Sequence, residues 1–316
     1  MALNISTAPS AGCPALVLGG GGALGIVQAA YIQAAHQMGF RPQLVVGTSV
    51  GAMNGAVLAM DPEHPEELLR IWLGLDQVAL VHWNPARLAS QLWKNPLSLS
   101  SNQVVPKLLR EHFHGATFED AKLRLGVVAT NLTRGEKRVF TEGPLAQAIL
   151  ASSAIPGMYE PVEIDGHQYV DGCISASVDM SSAVEMGATE IFAIDLSAQP
   201  LRARPKTAVG VLKQSFSILS TATTRAVEAC VSRQMPVRVA RPDLSRHSPW
   251  RLDDSAGAIA HNLRLAREAL AGVFDVDGHV APEGTCWAAG PLHDASTEQP
   301  VSVERFFGGA SSRKAG

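Results

Sequence analysis

Hydrophobic residues along the chain form short continuous runs that alternate with longer stretches of helical spacing. The runs ALVL at 15–18 and QLVV at 43–46 are typical of buried strands, and a glycine-containing turn and a helical pattern follow each of them. Helical patterns also precede and follow the apolar run in TEIFAIDL at 189–196. Because parallel strands are joined by crossover helices, the pattern predicts an α/β fold with a mostly parallel central sheet.

The predicted elements divide the chain into one domain and a tail. We predict a single domain over residues 12–275, with a cap-like helical insertion at about 62–115. Residues 276–316 are rich in Gly, Pro and Ser and lack periodicity, so we predict a poorly ordered tail there. The insertion places tryptophans near basic residues, which suits a lipid-facing surface or, as we favour, the core of a helical cap. The residues concerned are Trp72, Trp83, Trp93, Arg70, Arg87 and Lys94.

Composition and charge argue against several classes of partner. The 316 residues carry a net charge of -3 with scattered basic residues, which argues against nucleic acid as the main partner. The four cysteines are widely spaced, which predicts free thiols and neither a disulfide framework nor a metal site. Neither a signal peptide nor a run of ~20 apolar residues is found. We expect a soluble, cytoplasmic protein that could contact a membrane peripherally.

Four consecutive glycines follow the first predicted strand and allow two interpretations. Gly20, Gly22 and Gly25 have the GxGxxG spacing of a dinucleotide-binding loop. Such a loop needs an acidic partner about 20 residues further on, and no acidic residue precedes Asp61. Consecutive glycines also expose backbone N–H groups, as the oxyanion hole of an acyl hydrolase requires. We therefore favour an oxyanion hole formed by Gly20, Gly21 and Gly22.

The segment GTSVG follows the second predicted strand and fits the GxSxG pattern of a nucleophile elbow. In such an elbow, small residues at Gly47 and Gly51 let the strand and the helix approach closely, and Ser49 stands in a strained turn. Both glycine-containing turns follow parallel strands, so both should lie at the carboxyl edge of the sheet. The sequence thus predicts Ser49 as a nucleophile that faces the glycine loop.

A serine nucleophile needs a proton acceptor, and the chain offers several candidates. Asp171 follows the predicted strand HQYV and precedes Gly172, so we favour it as the base. Asp165 is better explained as a turn residue of a two-residue hairpin, and Asp195 as a residue that caps a strand end. The downstream histidines lie in weaker contexts, on a predicted helix or in the tail: His247, His261, His279 and His293.

The motifs GGGGALG, GTSVG and DGC occur in that order, with ASSAIPGMYEPVEIDGHQYVDG leading into the third. From about Pro14 to Leu196 the chain resembles the patatin-like phospholipase family. The resemblance implies a three-layer α/β/α fold and hydrolysis of phospholipids or neutral acyl esters by a Ser-Asp dyad, without a catalytic histidine or an organic cofactor. It implies these site residues: nucleophile Ser49, dyad aspartate Asp171 and oxyanion-loop residues Gly20, Gly21 and Gly22.

Two positions depart from the pattern of that family. Leu24 stands where an Arg or Lys commonly precedes the last glycine of the loop, and Cys173 stands where Gly or Ala usually follows Asp-Gly. The missing cation makes acyl-ester hydrolysis a firmer expectation than a preference for phospholipids. The alternatives are a catalytically weak member that binds lipid or a partner and, with less support, a dinucleotide-binding enzyme.

Overall fold

A sheet of eight strands runs through the part of the protein that the computed structural model describes, namely residues 12–75, 104–197, 204–249, 251–252 and 254–281. The strands are β1 (Pro14–Leu18), β2 (Leu44–Thr48), β3 (Arg124–Asn131), β4 (Glu136–Phe140), β5 (Val162–Ile164), β6 (His167–Asp171), β7 (Glu190–Ile194) and β8 (Val237–Ala240). The α-helices of these residues are α1 (Gly25–Gln37), α2 (Val50–Met60), α3 (Glu66–Leu73), α4 (Val104–Phe113), α5 (Leu145–Ser152), α6 (Met180–Glu185), α7 (Ala208–Val231) and α8 (Ser255–Leu270).

Side chains of the central strands point alternately into two apolar cores, one on each face of the sheet. Leu16 and Leu18 of β1 pack with residues of α1, α2 and α8, whereas Ala15 and Val17 pack with residues of α6 and α7. Both faces are therefore covered by helices. The predicted three-layer α/β/α sandwich is confirmed.

The strand order is β5-β6-β3-β2-β1-β7-β8, and β4 pairs with β3 outside this path. The pairs β1–β2, β1–β7, β2–β3 and β7–β8 are parallel, whereas β3–β4, β3–β6 and β5–β6 are antiparallel. The strands β1, β2 and β7 are buried along their whole length, which explains why their sequences are mostly apolar. The sheet is thus mostly parallel at its centre, as predicted.

Two strands meet end to end along one edge of β3. The opposite edge of β3 is occupied by β4, from Val127 to Asn131, so β2 and β6 must share the remaining edge. On that edge Thr48, the last residue of β2, pairs with Val128, and Asp171, the last residue of β6, pairs with Ala129. Because the two strands run in opposite directions, their carboxyl ends are brought next to each other.

The predicted hairpin and the long C-terminal helices are present in the structure. Ile164 pairs with His167, and the two turn residues Asp165 and Gly166 have φ values of 51° and 74°. Both residues thus adopt the left-handed conformation that a two-residue hairpin of this kind requires. The helices α7 and α8 and the intervening strand β8 occupy the stretches where the sequence predicts them.

The predicted insertion and tail are described only in part. Residues 76–103, which include Trp83, Trp93, Arg87 and Lys94, lie outside the described residues, as do residues 282–316. Within residues 276–281, Gly278, Val280 and Ala281 are buried against the domain, and the Val280 N–H donates to Glu190 Oε2 at 3.1 Å. No α-helix within the described residues has both the length and the apolar composition needed to cross a bilayer.

A buried polar network joins three helices beneath the glycine loop. Asn54 of α2 donates to Gly25 O and to Gln28 Oε1 of α1, both at 3.0 Å, and Trp72 Nε1 of α3 donates to Asn54 Oδ1 at 3.0 Å. Gln28 Nε2 in turn donates to Gly19 O at 3.0 Å. Trp72 is 2% exposed, so of the two interpretations of this tryptophan, the structure supports a core residue.

Replacing Trp72 by Phe is expected to lower the free energy of unfolding by about 2–3 kcal/mol, because Asn54 Oδ1 loses its donor in a buried site and the smaller ring leaves a void. Chemical denaturation measures the change. Lys107→Gln, at an exposed position of α4, is the control and should stay within about 0.5 kcal/mol of the wild type. A Trp72→Phe variant as stable as this control would contradict the role given to the network.

Candidate active site

Ser49 stands in a sharp turn between β2 and α2. Its φ of 56° and ψ of -123° lie in a region that side-chain-bearing residues rarely adopt, so the turn is strained. At the two glycines that flank Ser49, the neighbouring backbone leaves no room for a side chain. A Cβ on Gly51 would lie 2.2 Å from Leu18 O, and one on Gly47 would lie 2.4 Å from Gly51 O. The backbones of β1, β2 and α2 can therefore approach this closely only without side chains.

Ser49 and Asp171 are joined by a direct hydrogen bond. Ser49 Oγ donates to Asp171 Oδ2 at 2.7 Å, and the Cys173 N–H donates to the other carboxylate oxygen, Oδ1, at 2.8 Å. Both side chains are buried, with Ser49 5% and Asp171 3% exposed. Burial raises the pKa of the Asp171 carboxyl above its usual value, although the hydrogen bonds from Cys173 and Ser49 act to lower it. The carboxylate is thus a stronger base than an exposed aspartate.

A second serine, which the sequence analysis did not single out, holds the backbone of this turn. The Ser49 N–H donates to Ser152 Oγ at 2.8 Å, and Ser152 Oγ donates to Val128 O at 2.6 Å. Ser152 is fully buried at the end of α5. In the sequence, nothing distinguishes it from Ser153 beside it. Its contact depends on how α5 packs against the sheet, which local patterns do not reveal.

The glycine loop faces Ser49 from β1. A Cβ on Gly20 would lie 3.1 Å from Ser49 Cβ, so the loop backbone lies close to the serine. The Gly20 N–H donates to Ser177 O at 3.3 Å in this structure. For the N–H groups of Gly21 and Gly22, the described residues provide no acceptor. Of the three predicted oxyanion-hole residues, Gly20 is thus the one whose N–H is engaged by another described residue.

The N-terminus of α2 adds further donors at the same place. The helix begins at Val50, directly after Ser49, and the first N–H groups of a helix have no partner one turn earlier. Here the Ser49 N–H donates to Ser152 Oγ and the Ala52 N–H donates to Ser49 O, so the N–H groups of Val50 and Gly51 are the ones without an acceptor among the described residues. They also carry the partial positive charge of the helix dipole. Negative charge that develops beside Ser49 would be stabilised from this side as well.

A family model described as patatin-like phospholipase matches residues 16–184, which include the glycine loop, Ser49 and Asp171. The chain belongs to this family. It is 29% identical to "Patatin-like phospholipase domain-containing protein 7" of Rattus norvegicus, over 58% of this chain and 14% of that protein. It is 27% identical to "Lysophospholipase nte1" of Aspergillus terreus, over 58% of this chain and 12% of that protein. An uncharacterized NTE family protein of Mycobacterium bovis is 31% identical over 58% of this chain and 49% of its own length.

The matches thus cover less than half the length of each of these relatives. The family model covers the glycine loop, the elbow and strands β2 to β6, whereas β7 and β8 lie beyond it.

The two departures from the family pattern have different structural settings. Leu24 is 3% exposed and packs in the core beneath the loop, so this position does not face solvent. The Cys173 sulfur fills the space opposite Gly20, where a Cβ would lie 2.3 Å from it, and it is within hydrogen-bonding reach of the Gly20 N–H. Burial, and then the Asp171 carboxylate, raises the pKa of the Cys173 thiol well above its usual value. The sulfur is therefore a poor competing nucleophile at neutral pH.

Three of the other candidate bases have partners elsewhere in the structure. Asp195 is buried, accepts from the Ser197 N–H at 2.8 Å and forms an ion pair with Arg241 at 3.3 Å, as expected for a residue that caps a strand end. His247 bonds to Asn262, His279 bonds to Glu190, and His293 lies outside the described residues. In the part of the chain that the structure describes, no histidine is hydrogen-bonded to Ser49 or to Asp171.

Gly51→Ala is expected to lower the free energy of unfolding by about 3 kcal/mol, because its Cβ would overlap the backbone of β1 at Leu18. Gly74→Ala is the matched control, since a Cβ there would lie at ordinary contact distances from Ile71 O, 3.4 Å, and Arg70 O, 3.7 Å, and the backbone is helical. This control should change stability by less than about 0.5 kcal/mol. Equal stability of the two variants in chemical denaturation would contradict the tight elbow.

Proposed function

We propose that this protein is a serine acyl hydrolase that cleaves acyl ester bonds of lipids, phospholipids and lysophospholipids among them. The observation that carries the proposal is the 2.7 Å hydrogen bond from Ser49 Oγ to Asp171 Oδ2, formed in a strained turn that faces a glycine loop. Membership of the patatin-like phospholipase family supports a lipid substrate, as does the name lysophospholipase of the fungal relative. A cytoplasmic location and the absence of a nucleic-acid partner stay predictions from composition.

In the first half of the reaction, Ser49 Oγ attacks the carbonyl carbon of the ester while Asp171 accepts the hydroxyl proton. The raised pKa of Asp171 favours this transfer, because a carboxylate with a pKa nearer neutrality is a more effective base. The carbonyl oxygen becomes an oxyanion. We assign its stabilisation to the N–H groups of Gly21 and Gly22 and to those of Val50 and Gly51 at the start of α2.

The oxyanion donors carry a large share of the rate in this mechanism. One well-placed N–H donor typically contributes about 3 kcal/mol of transition-state stabilisation.

We give Gly20 a different role from the oxyanion-hole role that the sequence predicts. Its N–H is held by Ser177 O, so Gly20 would fix the loop and contribute to the oxyanion hole only if that bond were exchanged.

The second half of the reaction uses the same two side chains. The tetrahedral intermediate collapses, the bond to the alcohol oxygen breaks, and Asp171 returns its proton to that oxygen. The product is an acyl ester of Ser49 and a free alcohol. Asp171 then takes a proton from water, whose oxygen attacks the acyl carbonyl, and the proton returns to Ser49 Oγ as the fatty acid leaves. The Cys173 N–H, which donates to Asp171 Oδ1, can hold the carboxylate in place throughout, whereas Ser49 Oγ has no proton to donate while it carries the acyl group.

Labelling with a fluorophosphonate probe tests the proposal directly. Wild-type protein should be labelled covalently, and Ser49→Ala should not be. Ser49→Ala and Asp171→Asn should each lower kcat for an acyl ester by at least about 10⁴-fold, because nucleophile and base act as a unit. Asp165→Asn is the matched control, since Asp165 lies in the hairpin turn, where Asn also suits the positive φ. Wild-type labelling no stronger than that of Ser49→Ala would exclude the proposed activity.

The pH dependence of kcat/KM provides a separate prediction. Asp171 must be ionised to act as the base, so kcat/KM should rise as the pH increases through its pKa. Because burial raises that pKa, the midpoint of the acidic limb should lie above the range of an ordinary aspartate. Steady-state kinetics with a soluble ester measures this limb. A midpoint at or below the usual aspartate value would argue against Asp171 as the base.

A further inference from the structure

The helix α7 has its apolar side turned outward. Large hydrophobic residues on its N-terminal half are exposed, among them Leu212 at 70% and Leu219 at 57%. The polar residues Ser220 and Thr224 are buried on the opposite side. An ordinary amphipathic surface helix has the reverse arrangement. We call this apolar side the outer face of α7, and it consists of Val211, Leu212, Phe216, Ile218 and Leu219.

The five residues of the outer face lie on one side of the helix, which also includes the exposed Ser215. With 3.6 residues per turn, its five side chains fall within an arc of roughly 160° around the helix axis. Single exposed apolar residues are common on protein surfaces, but an apolar stripe of this width marks a surface that another apolar medium covers.

The sequence around this face is strongly basic. From Ser197 to Val227 it has no Asp or Glu, although the whole chain carries a net charge of -3. Arg204 and Lys206 are exposed in the segment that leads into α7. An apolar helix face flanked by basic residues complements the surface of a bilayer that contains anionic lipids. A second copy of the chain fits less well, because symmetric pairing of this face would bring like charges together.

The position of α7 in the fold places the outer face on the side of Ser49. The helix connects the parallel strands β7 and β8, so it starts at the carboxyl edge of the sheet, where the Ser49 turn and the glycine loop also lie. Its 24 residues extend for about 36 Å, roughly twice the length of a five-residue strand. Val227 and Val231 near its C-terminus pack on the core. The N-terminal half therefore extends beyond the carboxyl edge.

We propose that the outer face of α7 docks on the surface of a bilayer containing anionic phospholipids and thereby brings the Ser49 edge of the sheet to the lipid. The proposed docking site consists of the outer face of α7 together with Arg204 and Lys206. That docking delivers lipid to Ser49 rests on the proposed lipid hydrolase function. Binding to vesicles does not depend on that function.

Vesicle co-sedimentation tests the docking without relying on catalysis. Ser49→Ala protein is mixed with vesicles of phosphatidylcholine alone, or of equal parts phosphatidylcholine and phosphatidylglycerol. The protein should bind vesicles that contain phosphatidylglycerol more tightly than vesicles of phosphatidylcholine alone, and high salt should weaken binding to the anionic vesicles. Adding Leu212→Ser and Leu219→Ser should weaken binding by about thirtyfold or more. Adding Arg204→Gln and Lys206→Gln should weaken binding to anionic vesicles by about thirtyfold.

Val276→Ser is the matched control, because Val276 is fully exposed and lies outside α7. It should bind vesicles as the parent does. With Ser49 intact, the leucine variants should hydrolyse a soluble short-chain ester at the wild-type rate and lose activity on vesicles. Vesicle binding without any ester hydrolysis would overturn the proposed function and leave the docking in place.

Three results would overturn the docking proposal. The first is a failure of the parent protein to bind either kind of vesicle. The second is unchanged vesicle binding in the variant that carries Leu212→Ser and Leu219→Ser. The third is a dimer in light scattering that these two changes dissociate, together with no vesicle binding, which would show that a second copy covers the outer face.

Discussion

Backbone hydrogen bonds along one edge of β3 hold the last residue of β2 beside the last residue of β6. Ser49 and Asp171 are 122 positions apart in the chain, yet this arrangement leaves their side chains only a hydrogen bond apart. Neither side chain has to be ordered from a flexible loop, so little conformational entropy is lost when a substrate arrives. The elbow, the glycine loop and the base are all consequences of where strands of this one sheet end.

The same arrangement contains local features that cost stability. Ser49 adopts a positive φ, and Asp171 is a carboxyl buried with a raised pKa. Such features persist only where the surroundings fix them, and here Ser152 and the Cys173 N–H hold the two residues by hydrogen bonds. A buried carboxylate that a hydroxyl and an amide hold in place is poised to accept a proton. The destabilising contributions therefore coincide with the groups to which the proposed chemistry is assigned.

Local patterns predict the elements of this protein better than the contacts between them. The apolar runs, the Asp165–Gly166 turn and the GxSxG segment depend on neighbouring residues, and each is found where the sequence predicts it. The contact of Ser152 with Ser49 and the engagement of the Gly20 N–H by Ser177 depend on packing between distant segments. The periodicity of α7 predicts a helix but not that its apolar side faces outward, because a local pattern does not specify what covers it.

The segment after α8 also bears on how a fragment of this chain should be designed. Phe274 stacks on Phe40, and Gly278 packs so closely on Gly39 that a Cβ would lie 2.2 Å from the Gly39 carbonyl oxygen. The buried carboxylate of Glu190 accepts the N–H of Val280. A fragment ended at residue 275 would leave that carboxylate without this donor and uncover one end of β7. For expression or domain fusion, the junction therefore belongs beyond residue 281, after the last of these contacts.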